Sequence, residues 1–218
     1  MKEKQKMKEK VKEFIVKNLK WIILFICLIG FLAIAEDVFN KEIMNGDIIG
    51  YKLISTFLIS DFATPIAKFI TNFGGAIFLT ILTIILFILI KNKKIGVSIF
   101  SNLVIITALN QLLKNILQRP RPTEYRIIEE TGYSFPSGHS MISMAFYGYI
   151  IYLIYKYVKN RYVKWTSMVL LSLLICSIGI SRIYLGVHYT SDVLGGFLIS
   201  VSYLVIYISA VNKFLIEK

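Results

Sequence analysis

Residues 133–155 have the sequence YSFPSGHSMISMAFYGYIIYLIY, which passes from a polar turn into an apolar run. The run itself, 140–155, contains no charged residue and is followed by the basic block 156–164. About 20 apolar residues span a bilayer as a helix. Five more uncharged runs occupy residues 21–35, 73–90, 95–113, 165–181 and 193–211. The pattern predicts an all-α, polytopic membrane bundle of six transmembrane helices, folded as one domain over 1–218.

The composition favours a membrane protein over a soluble one. Hydrophobic residues make up 56% of the chain and charged residues 17%, whereas about 25% is usual for soluble domains. The net charge of +12 lies mostly in short blocks between apolar runs, so we expect no nucleic-acid partner. Cys27 and Cys176 each lie inside an apolar run and have no metal-ligand spacing. We expect neither a metal nor a cofactor.

The distribution of positive charge predicts the orientation. With six spans and the N-terminus inside, the inner segments hold 17 of the 25 Lys and Arg residues. These segments are 1–20, 91–94, 156–164 and 212–218. Positive charge is enriched on the cytoplasmic side of membrane proteins. We therefore expect a plasma-membrane protein with both termini in the cytoplasm and 1–20 as a basic lead-in.

Residues 36–72 form the segment between the first two predicted spans. The stretch 52–72 is apolar but is interrupted by Asp61, Pro65 and Lys68. We expect an extracytoplasmic interfacial or re-entrant helix here. The alternative is a seventh span, which would reverse every later loop and conflict with the charge distribution. The first run also resembles a signal peptide, and we expect an uncleaved anchor.

The polar residues at the outer helix ends come from three separate loops. On the predicted topology both histidines of the chain and four other ionisable residues meet the extracytoplasmic face. They are Lys114, Arg121, His139, Arg182, His188 and Asp192. Their convergence predicts one site at that face.

Residues 136–139, Pro-Ser-Gly-His, stand at the start of the fourth span. Ser137 is a good N-cap, and Gly138 permits a close approach of the backbone. Free N–H groups at a helix N-terminus favour an anion, and His139 in the first turn could exchange a proton with it. The simpler alternative is an ordinary capped helix with an interfacial histidine.

The basic stretch 114–122 contains Lys114, Arg119 and Arg121. Snorkelling side chains at a helix end would explain it. Positive charge is disfavoured on the outer face, however, so these cations indicate an anionic ligand. The planar fork of arginine suits phosphate. We expect Arg119 and Arg126 to be turn or headgroup contacts, or solvated loop charges.

His188 and Asp192 are four residues apart and share a face if the last helix begins near His188. A carboxylate bonded to one imidazole nitrogen fixes the tautomer and leaves the other nitrogen nucleophilic. The alternative is a first-turn helix acid beside an interfacial histidine.

Together these motifs resemble the type 2 phosphatidic acid phosphatase and vanadium haloperoxidase superfamily. The matching elements are Lys114-x6-Arg121-Pro122, Pro136 to His139, and Ser181-Arg182-x5-His188-x3-Asp192. The resemblance implies a phosphatase core over 73–211 and metal-independent hydrolysis of lipid phosphates.

The resemblance also implies a role for each motif residue. His188 would attack phosphorus and form a phosphohistidine, and Asp192 would orient His188. His139 would protonate the leaving lipid oxygen and then activate water. The phosphoryl oxygens would be held by Lys114, Arg121, Arg182, Ser137 and the Gly138 amide.

The substrate class stays open between several lipids. We expect a lipid phosphate that enters from the outer leaflet, with undecaprenyl pyrophosphate ranked first. Phosphatidylglycerophosphate and phosphatidate are the alternatives. A vanadate-dependent haloperoxidase or a non-enzymatic membrane protein fits the apolar spans and intact motifs less well.

Overall fold

The computed structural model describes residues 2–41 and 44–216, and all regular secondary structure in these ranges is helical. The all-α prediction is therefore confirmed. Within these ranges, eight α-helices and a short π-helical segment follow one another. They are α1 (Lys2–Phe39), α2 (Asn45–Phe57), α3 (Ala63–Asn72), α4 (Ala76–Leu89), α5 (Lys93–Leu117), α6 (Gly138–Tyr157), α7 (Arg161–Tyr184), α8 (Thr190–Val211) and the π-helical Asn212–Ile216.

Helix α6 is the centre of the bundle, because it packs against α5, α7 and α8. Its buried aromatic side chains Phe146, Tyr147 and Tyr149 belong to the main hydrophobic core. The hydroxyl of Tyr149 donates to Ser98 Oγ of α5 at 2.8 Å, so this buried hydroxyl has a hydrogen-bond partner inside the bundle. Helix α1 packs on α8, α4 on α5, and α3 on α7.

The N-termini of α6 and α8 meet at the end of the bundle where the sequence predicts the site. A Cβ atom at Gly195 would stand 2.6 Å from the Phe135 ring, so only glycine lets α8 approach this closely. The backbone N–H of Ser137, just before α6, donates to the carbonyl of Asp192 in α8 at 3.0 Å. The first turns of α6 and α8 are thereby held together.

Length and composition identify fewer spans than the sequence predicts. Within the described ranges, four helical stretches are long and apolar enough to cross a membrane, namely Lys17–Phe39, Lys93–Leu117, Arg161–Tyr184 and Thr190–Phe214. The pair α3 and α4, bent by 49°, would make a fifth as one broken span. The remaining predicted run, 140–155, lies in α6. That helix carries five tyrosines and is surrounded by other helices. The count of six stays a prediction.

The segment 36–72 differs in detail from its prediction. Residues 36–39 continue α1, and residues 42 and 43 lie outside the described ranges. The predicted single helix over 52–72 is instead two helices, α2 and α3, because the stretch 58–62 between them is non-helical. Helix α2 packs against α7 and α8. This segment therefore packs at the end of the bundle where the sequence motifs predict the site.

A long non-helical connection, residues 118–137, joins α5 to α6. Backbone hydrogen bonds fix it at several points: Ser134 N donates to Arg119 O at 2.8 Å, and Ile127 N donates to Leu185 O at 3.0 Å. The second of these bonds holds the connection against the end of α7.

Candidate active site

The predicted site residues all lie at one end of the bundle. Lys114 is in the last turn of α5, Arg182 is in the last turn of α7, and Asp192 is in the first turn of α8. The others lie in the connections or at the start of α6. They are Arg121 in the 118–137 connection, Ser137, Gly138 and His139 at the α6 N-terminus, and His188 between α7 and α8.

His188 is buried between the carboxylate of Asp192 and the guanidinium of Arg121. Its Nδ1 lies 3.3 Å from Asp192 Oδ2, and its Nε2 lies 3.0 Å from Nη1 of Arg121. Since a guanidinium can only donate, Nε2 is the accepting nitrogen and carries the free electron pair. Burial disfavours the imidazolium more strongly than Asp192 favours it, and the pKa of His188 falls to about 4. The imidazole is therefore neutral at neutral pH, as a nucleophile requires.

Asp192 is fully buried and accepts hydrogen bonds from several groups besides His188. Ser134 Oγ donates to Oδ2, and the Tyr189 N–H donates to the same oxygen at 2.8 Å. Nη1 of Arg119 donates to the other oxygen, Oδ1, at 2.7 Å. A buried carboxylate needs such partners to stay ionised. They also fix its direction, so that Oδ2 faces the imidazole.

Two arginines and a lysine stand on the other side of His188. Nη2 of Arg182 donates to Glu130 Oε1, and Nη2 of Arg121 lies 3.5 Å from Glu130 Oε2. Arg182 Nη1 donates to Thr71 Oγ1 at 2.8 Å, whereas its buried Nε has no hydrogen-bond partner within the described residues. That nitrogen is a donor available to an anion.

Lys114 and Glu130 complete this charged group. Lys114 Nζ donates to the carbonyl of Tyr133 and lies 3.5 Å from the carbonyl of Ser134. Burial would raise the pKa of the Glu130 carboxyl, but Arg182 and then Arg121 outweigh it, and the pKa lies below its usual range. Glu130 is therefore an ionised carboxylate between two of the cations that the sequence predicts to hold phosphate.

The start of α6 has the geometry of a capped N-terminus. Ser137 is the N-cap, and its Oγ accepts from the Ser140 N–H at 3.5 Å and from Ser140 Oγ at 3.0 Å. A Cβ atom on Gly138 would lie 3.2 Å from Asn110 Oδ1 and 3.9 Å from the Lys114 side chain. The backbone here thus passes close to Lys114.

His139 packs against the turn between α3 and α4. A Cβ on Gly74 would lie 3.3 Å from His139 Cδ2, and one on Gly75 would lie 3.9 Å from its Nε2. The fixed charges of Arg182 and Arg121 and the His188 ring lie within electrostatic reach of the His139 ring. The His139 ring therefore lies at the same end of the bundle as His188.

One expectation from the sequence is wrong. Arg119 is neither a solvated loop charge nor a headgroup contact, because its side chain is 5% exposed and pairs with Asp47 and Asp192. Arg126 does make the expected turn contact, donating to the Pro122 carbonyl.

Four further residues of the site, Asp47, Thr71, Glu130 and Ser134, went unrecognised in the sequence. Asp47 and Thr71 come from the segment 36–72, far along the chain from the motifs. The only signal for Asp47 is an acid in the first turn of α2, which is common on any helix.

A cavity of about 690 Å³ opens beside His188. Helix α2 forms one wall with Ile48, Tyr51 and Lys52, and the 118–137 connection forms another with residues 122–125. The rings of Tyr51 and Tyr125 stack across it at 5.1 Å between centroids. The volume falls in the usual range for small-molecule sites, roughly 300–1,000 Å³.

Comparison with known proteins agrees with this geometry. The model of the PAP2 superfamily matches residues 95–216, which is more than half of the chain and includes all three motifs. The chain belongs to the PAP2 superfamily. The resemblance that the motifs indicate is confirmed, and the matched region extends from the start of α5 to the end of the last helix.

Two curated PAP2 relatives match in different ways. Phosphatidylglycerophosphatase B of Bacillus subtilis is 40% identical over 91 residues, which cover 41% of this chain and 44% of that protein. Undecaprenyl-diphosphatase of Sulfolobus acidocaldarius is 26% identical over 191 residues, which cover 82% of this chain and 84% of that protein. The first match is thus local, and the second spans most of both chains.

Solved structures share the fold. The crystal structure of a transmembrane PAP2 type phosphatidylglycerolphosphate phosphatase from Bacillus subtilis matches with a TM-score of 0.76 at 26% identity, covering 88% of this chain and 96% of that one. Aquifex aeolicus LpxE matches with a TM-score of 0.60 at 24% identity, covering 73% of this chain and 92% of that one, and supports the fold alone. With its apolar helices, these relatives identify the chain as a multi-pass membrane protein.

Proposed function

We propose that this PAP2 protein is a lipid phosphate phosphatase that acts through a phosphohistidine on His188. The single observation that carries the proposal is the placement of the buried His188 imidazole between Asp192 and Arg121. The relatives, by name, act on phosphatidylglycerophosphate and undecaprenyl diphosphate. Phosphoryl transfer depends mainly on positioning and charge stabilisation, and both are available here.

In the first step, Nε2 of His188 attacks phosphorus while the bond from phosphorus to the leaving oxygen breaks. His139 gives its proton to that oxygen, and Asp192 stabilises the positive charge that develops on the His188 ring. Arg121 Nη1, which now donates to Nε2, shifts its hydrogen bond to a phosphoryl oxygen. The product of this step is an N–P bond on His188.

In the second step, His139 takes a proton from water, and the water oxygen attacks phosphorus. The N–P bond breaks, and inorganic phosphate leaves while His188 returns to its neutral form. Lys114, Arg121 and Arg182, with Ser137 and the Gly138 amide, hold the non-bridging oxygens in both steps. A histidine that serves as acid and then as base contributes about 10²–10⁴ in rate.

Two substrates have comparable support. Undecaprenyl pyrophosphate remains our first candidate, supported by the long match to undecaprenyl-diphosphatase. Phosphatidylglycerophosphate is supported by the more identical but shorter match and by the related crystal structure. Phosphatidate is the third candidate. We place the site at the extracytoplasmic face and both termini in the cytoplasm, because 17 of the 25 Lys and Arg residues then lie inside.

The test is phosphate release from purified undecaprenyl pyrophosphate, phosphatidylglycerophosphate and phosphatidate by the protein in detergent. We expect turnover of at least one lipid in excess EDTA, and a loss of at least about 10⁴-fold in His188→Ala. Labelled substrate should leave acid-labile phosphate on the wild-type protein and none on the variant. Wild-type turnover by His188→Ala would rule out the assigned nucleophile, and loss in EDTA that added metal restores would rule out metal independence.

A further inference from the structure

A buried charge network connects α2 to the acid that orients His188. Arg119 bridges two carboxylates: Nη2 donates to Asp47 Oδ2 and Nη1 donates to Asp192 Oδ1, each at 2.7 Å. The exposed fractions of the three side chains are 5% for Arg119, 1% for Asp47 and 0% for Asp192. Charges this deeply buried interact strongly, because bulk solvent screens them little.

Further contacts fix the geometry of this network. The Arg119 guanidinium lies 4.1 Å above the Tyr189 ring, which keeps its plane in one orientation. Asp47 Oδ1 accepts from the backbone N–H of Ser191 at 2.8 Å, and Arg119 Nη1 also donates to Ser191 Oγ at 2.7 Å. Asp47 therefore holds both the guanidinium and the first turn of α8, where Asp192 lies.

The balance of charge suggests what Asp47 does for Asp192. If Arg119 faced Asp192 alone, its full charge would neutralise the carboxylate that must stabilise the imidazolium of His188. Asp47 shares that charge, since one guanidinium serves two carboxylates. Arg119 can then direct Asp192 Oδ1 away from the imidazole without cancelling the negative charge that faces it on Oδ2.

We propose that Asp47 and Arg119 are positioning residues for the His188–Asp192 pair, so that α2 is part of the catalytic apparatus. This inference rests on the proposed function. Helix α2 lies outside the region 95–216 that defines the family. It nevertheless fits tightly here, since a Cβ on Gly50 would stand 2.1 Å from Thr190 Oγ1 at the start of α8. The segment before the family region therefore completes the site.

The experiment compares Asp47→Asn with the matched control Asp61→Asn, an exposed acid in the same segment. Losing a hydrogen bond between charged groups lowers a rate by roughly ten- to a hundredfold. We expect kcat of Asp47→Asn to fall within that range, KM to change less than about twofold, and the control to match wild type. Arg119→Lys keeps the charge but not the fork, and we expect it to show the same separation of kcat from KM.

A second comparison separates positioning from folding. In an Asp192→Asn background, Asp47→Asn should cause little further loss, because its effect passes through Asp192. Folded protein is measured by size exclusion and by the rise in melting temperature that vanadate produces. The proposal is overturned if folded Asp47→Asn turns over at the wild-type kcat, or if the two losses multiply. It is also overturned if Asp47→Asn and Arg119→Lys both fail to fold, since the network then acts on folding.

The two proposals fail in different ways. A wild-type protein that releases no phosphate from any lipid in the panel contradicts the proposed function. A wild-type protein that is active and sensitive to His188→Ala, together with a fully active Asp47→Asn, contradicts only the positioning role.

Discussion

Two charged clusters flank His188, and they differ in the balance of acids and bases. The closed cluster consists of Asp47, Arg119 and Asp192, with two carboxylates for one guanidinium, all at most 5% exposed. The open cluster consists of Lys114, Arg121, Arg182 and Glu130, with three cations for one carboxylate; Glu130 is 27% exposed, Arg121 is 7% exposed and Arg182 is 1% exposed. The closed cluster is paired within the protein, whereas the open cluster has positive charge to spare.

That difference indicates that the closed cluster positions His188 and that the open cluster binds the anion. A cluster whose carboxylates are hydrogen-bonded to protein donors can fix geometry, because it needs no ligand to complete its contacts. A cluster with an excess of cations is suited to bind an anion, and it includes a donor, Arg182 Nε, that has no hydrogen-bond partner among the described residues. Substitutions in the closed cluster should therefore lower kcat with binding retained, and substitutions in the open cluster should alter binding.

The largest effect should come from Asp192→Asn in the closed cluster. The amide can present N–H to His188 and stabilise the wrong tautomer, so we expect kcat to fall by roughly 10³–10⁴. Vanadate should still raise the melting temperature, because the open cluster is unchanged. Turnover of the variant measures the loss of kcat, and thermal melting with and without vanadate measures binding. Asp61→Asn is the control. If the variant lost vanadate binding as well as turnover, the closed cluster would also be needed for binding, and the proposed separation of the two functions would be wrong.

A smaller effect is expected from Arg182→Lys in the open cluster. Lysine keeps the charge but loses the fork and the buried Nε. We expect kcat/KM to fall by roughly ten- to a hundredfold, with weaker inhibition by inorganic phosphate. Arg161→Lys, at the exposed start of α7, serves as the control. A fall in kcat with unchanged phosphate inhibition would assign Arg182 to positioning instead.

Glu130→Gln should strengthen anion binding, whereas Arg182→Lys should weaken it. Its carboxylate lies between Arg121 and Arg182 and opposes a phosphate that needs the same donors. Removing the charge should tighten inhibition by inorganic phosphate or vanadate by about three- to tenfold, which corresponds to about 1 kcal/mol. Glu129→Gln, the exposed neighbour, is the matched control. Weaker inhibition in Glu130→Gln would show that the carboxylate holds the arginines in place rather than competing with the ligand.

The open cluster was more predictable from the sequence than the closed one. Lys114, Arg121 and Arg182 stand at helix ends or beside prolines in a motif with fixed spacing, so their role is visible in one dimension. Asp47 and Arg119 meet only through tertiary packing, 72 residues apart. Nothing in the local sequence distinguishes Arg119 from a loop charge, and its burial follows from the packing of α2 on α8.

The long apolar helices were also predictable from the local sequence, unlike the short helices of the segment 36–72. Uncharged runs predicted the positions of α4, α5, α7 and α8 well, because a long apolar run favours a helix buried in the bundle or the membrane. The segment 36–72 was predicted less accurately, since short helices at an interface lack that signal. Helices α2 and α3 both pack on α7, and the 49° bend before α4 lies beside His139, so these features are set among residues far apart in the sequence.

The smallest expected effect concerns pH and tests whether His188 is buried as a neutral base. Its pKa of about 4 in the folded protein lies below the ordinary 6.5, so as the pH falls the unfolded chain takes up the proton first. The stability that His188 contributes is therefore complete above about pH 6.5 and is lost as the pH falls toward 4. Between pH 7.5 and 6 the loss is about 1 kcal/mol, or roughly 2–4 °C in melting temperature. His188→Asn should lack this part of the decline, and an identical decline in both proteins would mean that solvent reaches the imidazole.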